Sequence, residues 1–238
     1  MQILNIAGYK FIALSNLETV QTTLLAKCEE LSLKGTILLS EEGVNITLSG
    51  SQHAIQSFQA YLKETTSFAD IRFHETYSDR LPFKRLKVKI KPEIITLRQP
   101  GIDAIDSRAP SISPKDFKQW LDEKRDITVL DTRNDYEVQM GTFTNAQNLH
   151  IDDFGDFPAA TAVVDKDKPI VMFCTGGIRC EKAAIYMQNQ GFKHVYQLDG
   201  GILGYFKDVG GAHYTGDCFV FDERVAVDPN LNPVSLTS

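Results

Sequence analysis

The chain has 238 residues, 42% apolar and 24% charged, which is enough for one large domain or two modest ones with real cores. A net charge of −6 argues against a protein that coats nucleic acid indiscriminately, and no apolar run is long enough to span a bilayer. The amino terminus lacks the basic segment of a secretion signal, so Cys28, Cys174, Cys180 and Cys218 are expected to be free thiols in a reducing, cytoplasmic setting.

The charge is unevenly shared. Residues 1–98 hold 12 Lys and Arg against 10 Asp and Glu, and the remainder holds 13 against 21. That asymmetry points to two domains with different partners. In chain order, Tyr9–Leu14 reads as a short strand, and residues 17–31 carry Leu17, Val20, Leu24, Leu25 and Cys28 at helical spacing. Thr36–Leu39 is predicted as a strand, and Glu42-Gly43-Val44-Asn45 as a turn before the strand Ile46–Leu48. Gln52–Leu62 repeats the helical spacing, and Asp70–Glu75 reads as a strand. The order βαββαβ is the ferredoxin-like, split-βαβ pattern of an α+β domain, assigned to residues 1–96.

Leu86, Val88 and Ile90 then alternate with Arg85, Lys87, Lys89 and Lys91, so a strand here carries its cations on one face. Such a face suits phosphate contacts, but on the residues alone it better suits a solvated edge strand that resists aggregation. Prolines 92, 100, 110 and 114 punctuate an aperiodic stretch, and the linker is placed at 97–112. Ser113-Pro114-Lys115-Asp116 is a strong helix start. Strands are predicted at Thr128–Asp131, Pro169–Phe173 and Val195–Leu198, with a helix at Cys180–Gln190 ended by Gly191. Short apolar strands alternating with helices imply an α/β domain on a parallel sheet, assigned to 113–212, and 213–238 reads as a tail.

The chemistry centres on Cys174-Thr175-Gly176-Gly177-Ile178-Arg179, a loop between a buried strand and a helix. The carboxyl ends of parallel strands are where open α/β sheets bind ligands. Gly176 and Gly177 let successive N–H groups turn inward as an anion nest, and the helix start adds partial positive charge. A cysteine there is expected to ionise early and act as a nucleophile, with Arg179 bracing the loop or holding an anionic group. The alternative, a cysteine packed as a small hydrophobe, leaves the Gly-Gly and the Arg unexplained. Cys180 could resolve an oxidised or persulfidated Cys174, or simply face the sheet. Asp131, Arg133 and Glu137 are expected to form a salt-bridged network that braces the domain. No metal-ligand spacing and no flavin or nicotinamide fingerprint is present.

Asp131 to Glu137, Gly141 to Asn148, Cys174 to Arg179 and Leu198-Asp-Gly200-Gly201-Ile202 follow the order of rhodanese-like domains, with Thr142 where a His is usual. The run Cys174–Ala183, together with Lys34-Gly35-Thr36, Glu42–Asn45, Phe83–Lys91 and Phe219–Val227, resembles one subgroup, the two-domain tRNA uridine hydroxylases. Many members of it continue into a cysteine-rich tail that this sequence does not show. The resemblance implies hydroxylation of a wobble uridine to 5-hydroxyuridine, with Cys174 essential, molecular oxygen as co-substrate and no other cofactor evident. It also implies that tRNA is the partner, with contacts from Arg85, Lys87, Lys89 and Lys91, and no membrane or obligate protein partner. On the loop alone, sulfur transfer through a Cys174 persulfide is the stronger alternative. Phosphatase chemistry is third, because related phosphatases place five residues between Cys and Arg and this loop has four.

Overall fold

The computed structural model describes residues 2–65 and 67–234. It divides into two units, one running to Ile95 and taking in Asp222–Arg224, the other comprising Thr96–Phe221 and the chain from Val225 onward.

The first unit is built on a five-stranded sheet. Its elements are β1 (Ile3–Phe11), α1 (Leu17–Glu30), β2 (Lys34–Ser40), β3 (Gly43–Ser51), α2 (Gln52–Glu64), β4 (Phe73–Ser78) and β5 (Leu86–Ile90). The strand order is β4-β1-β3-β2-β5. The first four strands pair antiparallel, and β5 joins the edge parallel to β2. The α+β reading therefore holds, with the basic strand as an added edge. Leu24, Cys28, Ile37, Leu39, Ile46, Leu48, Ile55 and Phe58 form the core. Burial pushes the Cys28 thiol up to about 12.

Three boundaries differ from expectation. β1 starts at Ile3 and stops at Phe11, where Tyr9–Leu14 was expected. Asn5 hid the strand: it is buried, donates to Ser78 Oγ (3.0 Å) and accepts from Ser49 Oγ (2.6 Å), so a polar residue sits satisfied in a central strand. β4 begins at Phe73, three residues after Asp70. The β2–β3 turn is Glu41-Glu42, because Ser40 already pairs with Gly43.

The second unit holds a parallel sheet of β6 (Ser111–Ile112), β7 (Thr128–Asp131), β9 (Gln147–Asn148), β10 (Ile170–Phe173) and β11 (Val195–Leu198) in the order β6-β11-β10-β7-β9. The helices are α3 (Pro114–Asp122), α4 (Asp135–Val138), α5 (Phe157–Ala160), α6 (Ile178–Asn189) and α7 (Gly201–Val209). Ser113 caps α3 as expected, accepting the Asp116 N–H at 3.1 Å. The central strand β10 is wholly buried, which is why it reads as an unbroken apolar run. Phe117, Phe143 and Tyr205 pack edge to face, and Phe143 also meets Phe173 at the end of β10.

Three readings are corrected here. α6 starts at Ile178, ahead of Cys180, and α7 was not anticipated because two glycines open it. Residues 213–234 are also structured. β12 (Tyr214–Gly216) pairs with β8 (Gly141–Phe143), and β13 (Cys218–Phe219) pairs with β14 (Ala226–Val227). Cys218, Ala226 and Val227 are fully buried. Asp222–Arg224 belongs to the first unit: Arg224 pairs with Asp222 and donates to Thr76 Oγ1 on β4 (2.6 Å). No helix among the described residues is long and apolar enough to cross a membrane.

Candidate active site

The site grows from the end of β10. After Phe173 the chain leaves the sheet, and Cys174 to Gly177 arch over to the first turn of α6. Gly177 has φ +100, a conformation that L side chains rarely adopt, and its N–H points back at Cys174 Sγ at 3.1 Å. The Arg179 N–H also serves the sulfur, so α6 begins with its free donors aimed at Cys174.

The far side of the loop is held by α7. Ile202 and Leu203 donate their N–H groups to the carbonyls of Cys174 and Thr175 at 2.9 and 3.0 Å. A Cβ at Gly201 would collide with the Cys174 carbonyl oxygen and approach Gly177 N to 2.8 Å, and Gly201 sits at φ +60. The Gly200-Gly201 pair thus lets two helix starts, α6 and α7, close on one loop. This role was not read from the sequence, although the two adjacent glycines before an apolar run were its visible signal.

Cys174 is 1% exposed. Burial opposes its ionisation, but the Cys180 thiol, the Arg179 charge and the two backbone N–H groups outweigh burial, bringing it from 9.0 down to about 6. Cys180 moves the other way. Burial and the neighbouring Cys174 push it well up, so at neutral pH it is a protonated donor beside a thiolate. Thr132 backs the pair: its hydroxyl donates to the Phe173 carbonyl (3.0 Å) and lies 3.7 Å from Cys180 Sγ.

The expected carboxylate–arginine network is divided in two. Arg179, buried, gives both terminal nitrogens to Glu137, at 2.5 and 2.8 Å. Glu137 also accepts the Asn134 N–H at 3.0 Å. Arg133 instead pairs with Asp131 (2.9 and 2.7 Å) and donates to the Gly141 carbonyl (2.6 Å), touching Glu137 only at its backbone carbonyl. Thr142 donates to Asp131 at 2.7 Å, and the Tyr214 hydroxyl donates to Gly141 O at 2.8 Å. Burial disfavours both guanidinium charges, and the paired carboxylates more than restore them. Arg179 is therefore a brace, with its fork already occupied.

Thr175, Gly176 and Gly177 form the loop as read, while Ile178 and Arg179 are already the first residues of α6. Arg85, Lys87, Lys89 and Lys91 lie on and beside β5 in the first unit, all exposed, with Leu86 and Val88 turned to the core. Ile90, expected on the buried face, is 37% exposed, because β5 ends there at the sheet edge. Among the described residues none of these four cations makes an ion pair.

Residues 3–94 match the family model described as the UPF0176 acylphosphatase like domain, and residues 113–208 match the Rhodanese-like domain. A protein of Cupriavidus pinatubonensis named tRNA uridine(34) hydroxylase is 52% identical over 98% of this chain and 86% of its own length. One of Bordetella petrii with the same name is 48% identical over 97% of this chain and 95% of its own. One of Burkholderia thailandensis, again so named, is 47% identical over 99% and 83%. With such identity along nearly the full length, the chain belongs to the family of the tRNA uridine(34) hydroxylases.

Proposed function

We propose that this protein hydroxylates uridine 34 of tRNA, with the Cys174 thiolate as its reactive group. The observation that carries the reading is the buried Cys174 sulfur, ringed by the Gly177 and Arg179 N–H groups and the Cys180 thiol, a setting that lowers its pKa to about 6. The family name supplies the substrate class. Replacing a ring C–H by C–OH is a two-electron oxidation; in this reading molecular oxygen is the co-substrate, one of its atoms entering the ring and the other leaving as water with two electrons and two protons from an external reductant such as a thiol. In this reading a cytoplasmic tRNA is engaged through the exposed cations Arg85, Lys87, Lys89 and Lys91. Cys180 serves as the donor that holds Cys174 ionised; its own raised pKa suits it poorly to attack as a resolving thiol.

The test is nucleoside mass spectrometry of tRNA incubated with the purified protein under heavy-oxygen gas. Labelled 5-hydroxyuridine is expected with wild type and none with Cys174→Ser. Product whose oxygen comes from water would overturn the co-substrate assignment. A second reading, sulfur transfer through a Cys174 persulfide, is favoured by the match of residues 113–208 to the Rhodanese-like domain. Thiosulfate-dependent persulfidation of Cys174, with no change in tRNA, would support that reading over hydroxylation.

A further inference from the structure

Cys174 is a residue only 1% exposed, so its sulfur cannot meet a base still stacked within an RNA loop, and the reacting base must leave its stack. Something must then receive the unstacked bases beside Cys174. The second unit exposes large aromatic rings at that place. Phe221 is 57% exposed and Tyr136 46%, although aromatic side chains of this size normally find cover. They are joined through Phe219: Tyr136 meets Phe219 edge to face at 5.3 Å, and Phe219 meets Phe221 at 5.1 Å.

Each of the three residues is tied to the reactive loop, Phe219 by its backbone, Phe221 by its ring and Tyr136 through its neighbour Glu137. The Phe219 carbonyl accepts the Thr175 hydroxyl at 3.5 Å. The Arg179 guanidinium lies 5.9 Å from the Phe221 ring centroid. Tyr136 precedes Glu137, which holds Arg179 in both of its hydrogen bonds. The edge-to-face contacts occupy the middle ring and leave the outer two presented to solvent. Aromatic rings offered beside a reactive centre are how proteins bind unstacked bases, since every base has a π face.

We infer that Tyr136 and Phe221 are the stacking platform for unstacked anticodon-loop bases next to the Cys174 loop. The inference rests on the proposed tRNA reading and names the residues that recognise the base. Neither ring enters the chemistry; both position the substrate.

The test uses the full chain and an anticodon stem-loop RNA carrying 5-iodouridine at position 34, cross-linked by light and mapped by mass spectrometry. Cross-links to Tyr136 or Phe221 are expected. Phe221→Leu and Tyr136→Leu should each raise Kd and KM for the RNA about tenfold, the scale of one lost stack. Tyr136→Phe should keep near-wild-type values, and Cys174 alkylation rates should be unchanged in all three. Phe221→Trp adds a second emitter to a chain whose single native tryptophan is Trp120, and the added emission should be quenched by the stem-loop. Cross-links lying only elsewhere, unaltered Kd in the leucine variants or an unquenched Trp would overturn the platform. So would leucine variants that only dissociate a dimer, since the rings would then face a second copy of the chain. If the wild-type protein forms no 5-hydroxyuridine in tRNA, the functional reading itself fails. If it does and the leucine variants keep their KM, only the platform fails.

Discussion

Arg179 and Glu137 form a buried two-point ion pair, Nη1 to Oε2 at 2.5 Å and Nη2 to Oε1 at 2.8 Å, linking the helix that carries the reactive loop to α4. Both side chains are almost wholly shielded from water, so the charge of each is compensated chiefly by the other. Removing one partner strands a buried charge. Glu137→Gln should lower unfolding stability by about 3 kcal/mol. Urea denaturation measures it, and a loss below about 1 kcal/mol means the pair is solvated in practice.

The Cys174 thiolate sets a pH window. Its folded pKa, about 6, lies below the ordinary 9.0, so the folded state releases its proton first. The stability this contributes is complete above the ordinary value and is lost as pH falls through about 6. Alkylation of Cys174 should accordingly rise to a plateau with a midpoint near pH 6, while Cys28 and Cys218, both pushed up to about 12 by burial, stay silent at neutral pH. Faster labelling of either one than of Cys174 contradicts the anion-nest argument. Cys174→Ser should remove activity without unfolding the chain, because the hydroxyl keeps the shape and does not ionise.

Cys180 separates two roles by its variants. If its S–H holds Cys174 ionised, Cys180→Ala should move the alkylation midpoint upward and Cys180→Ser should restore part of the shift through its hydroxyl. A resolving thiol predicts something else: a mixed or internal disulfide after mild peroxide in wild type, absent from both variants, with the midpoint unmoved. The pH profile and the peroxide product together decide between them.

What the sequence disclosed follows from how locally each feature is encoded. The loop from Cys174 to Arg179 was legible because a buried strand, two glycines and a helix start are consecutive residues. The ferredoxin-like order was legible from periodicity alone. The division of Asp131, Arg133 and Glu137 into two pairs was not, because Arg179 competes for Glu137 from 42 residues away. Nor was the place of Asp222–Arg224, which is fixed by Arg224 reaching Thr76 across 148 residues. β1 was misplaced because Asn5 looks like a surface residue until Ser49 and Ser78 satisfy it.

Gly201 is the tightest position at the site. Its φ of +60 and its approach to the Cys174–Gly177 backbone leave no space for a methyl group. Gly201→Ala should displace α7 from the loop and break the Ile202 and Leu203 hydrogen bonds to it. The expected result is a large fall in activity, a raised Cys174 alkylation midpoint and a stability loss of about 1–3 kcal/mol. An active, equally stable variant would show that the loop does not rely on α7.

The last prediction concerns how the RNA is held. The half of the chain with the thiolate carries the excess of acidic residues, 21 against 13 Lys and Arg, and would repel a polyanion unaided. The β5 edge offers the compensating charge. Arg85, Lys87, Lys89 and Lys91 are exposed, and Leu86 and Val88 are turned inward to anchor the strand. Exposed lysines not engaged in ion pairs lose little on meeting phosphate, and the counterions released make the binding salt-dependent. Lys87→Gln with Lys89→Gln should weaken tRNA binding and reduce the salt slope by about one unit per lost phosphate contact. Stability should barely change, since neither side chain is buried, and Cys174 alkylation should not change at all, because the two residues lie in the other unit. Binding measured across a salt series reads the slope directly. An unaltered slope would mean that these lysines only guard a parallel edge strand against pairing with other chains, and the phosphate contacts would then have to come from other cations.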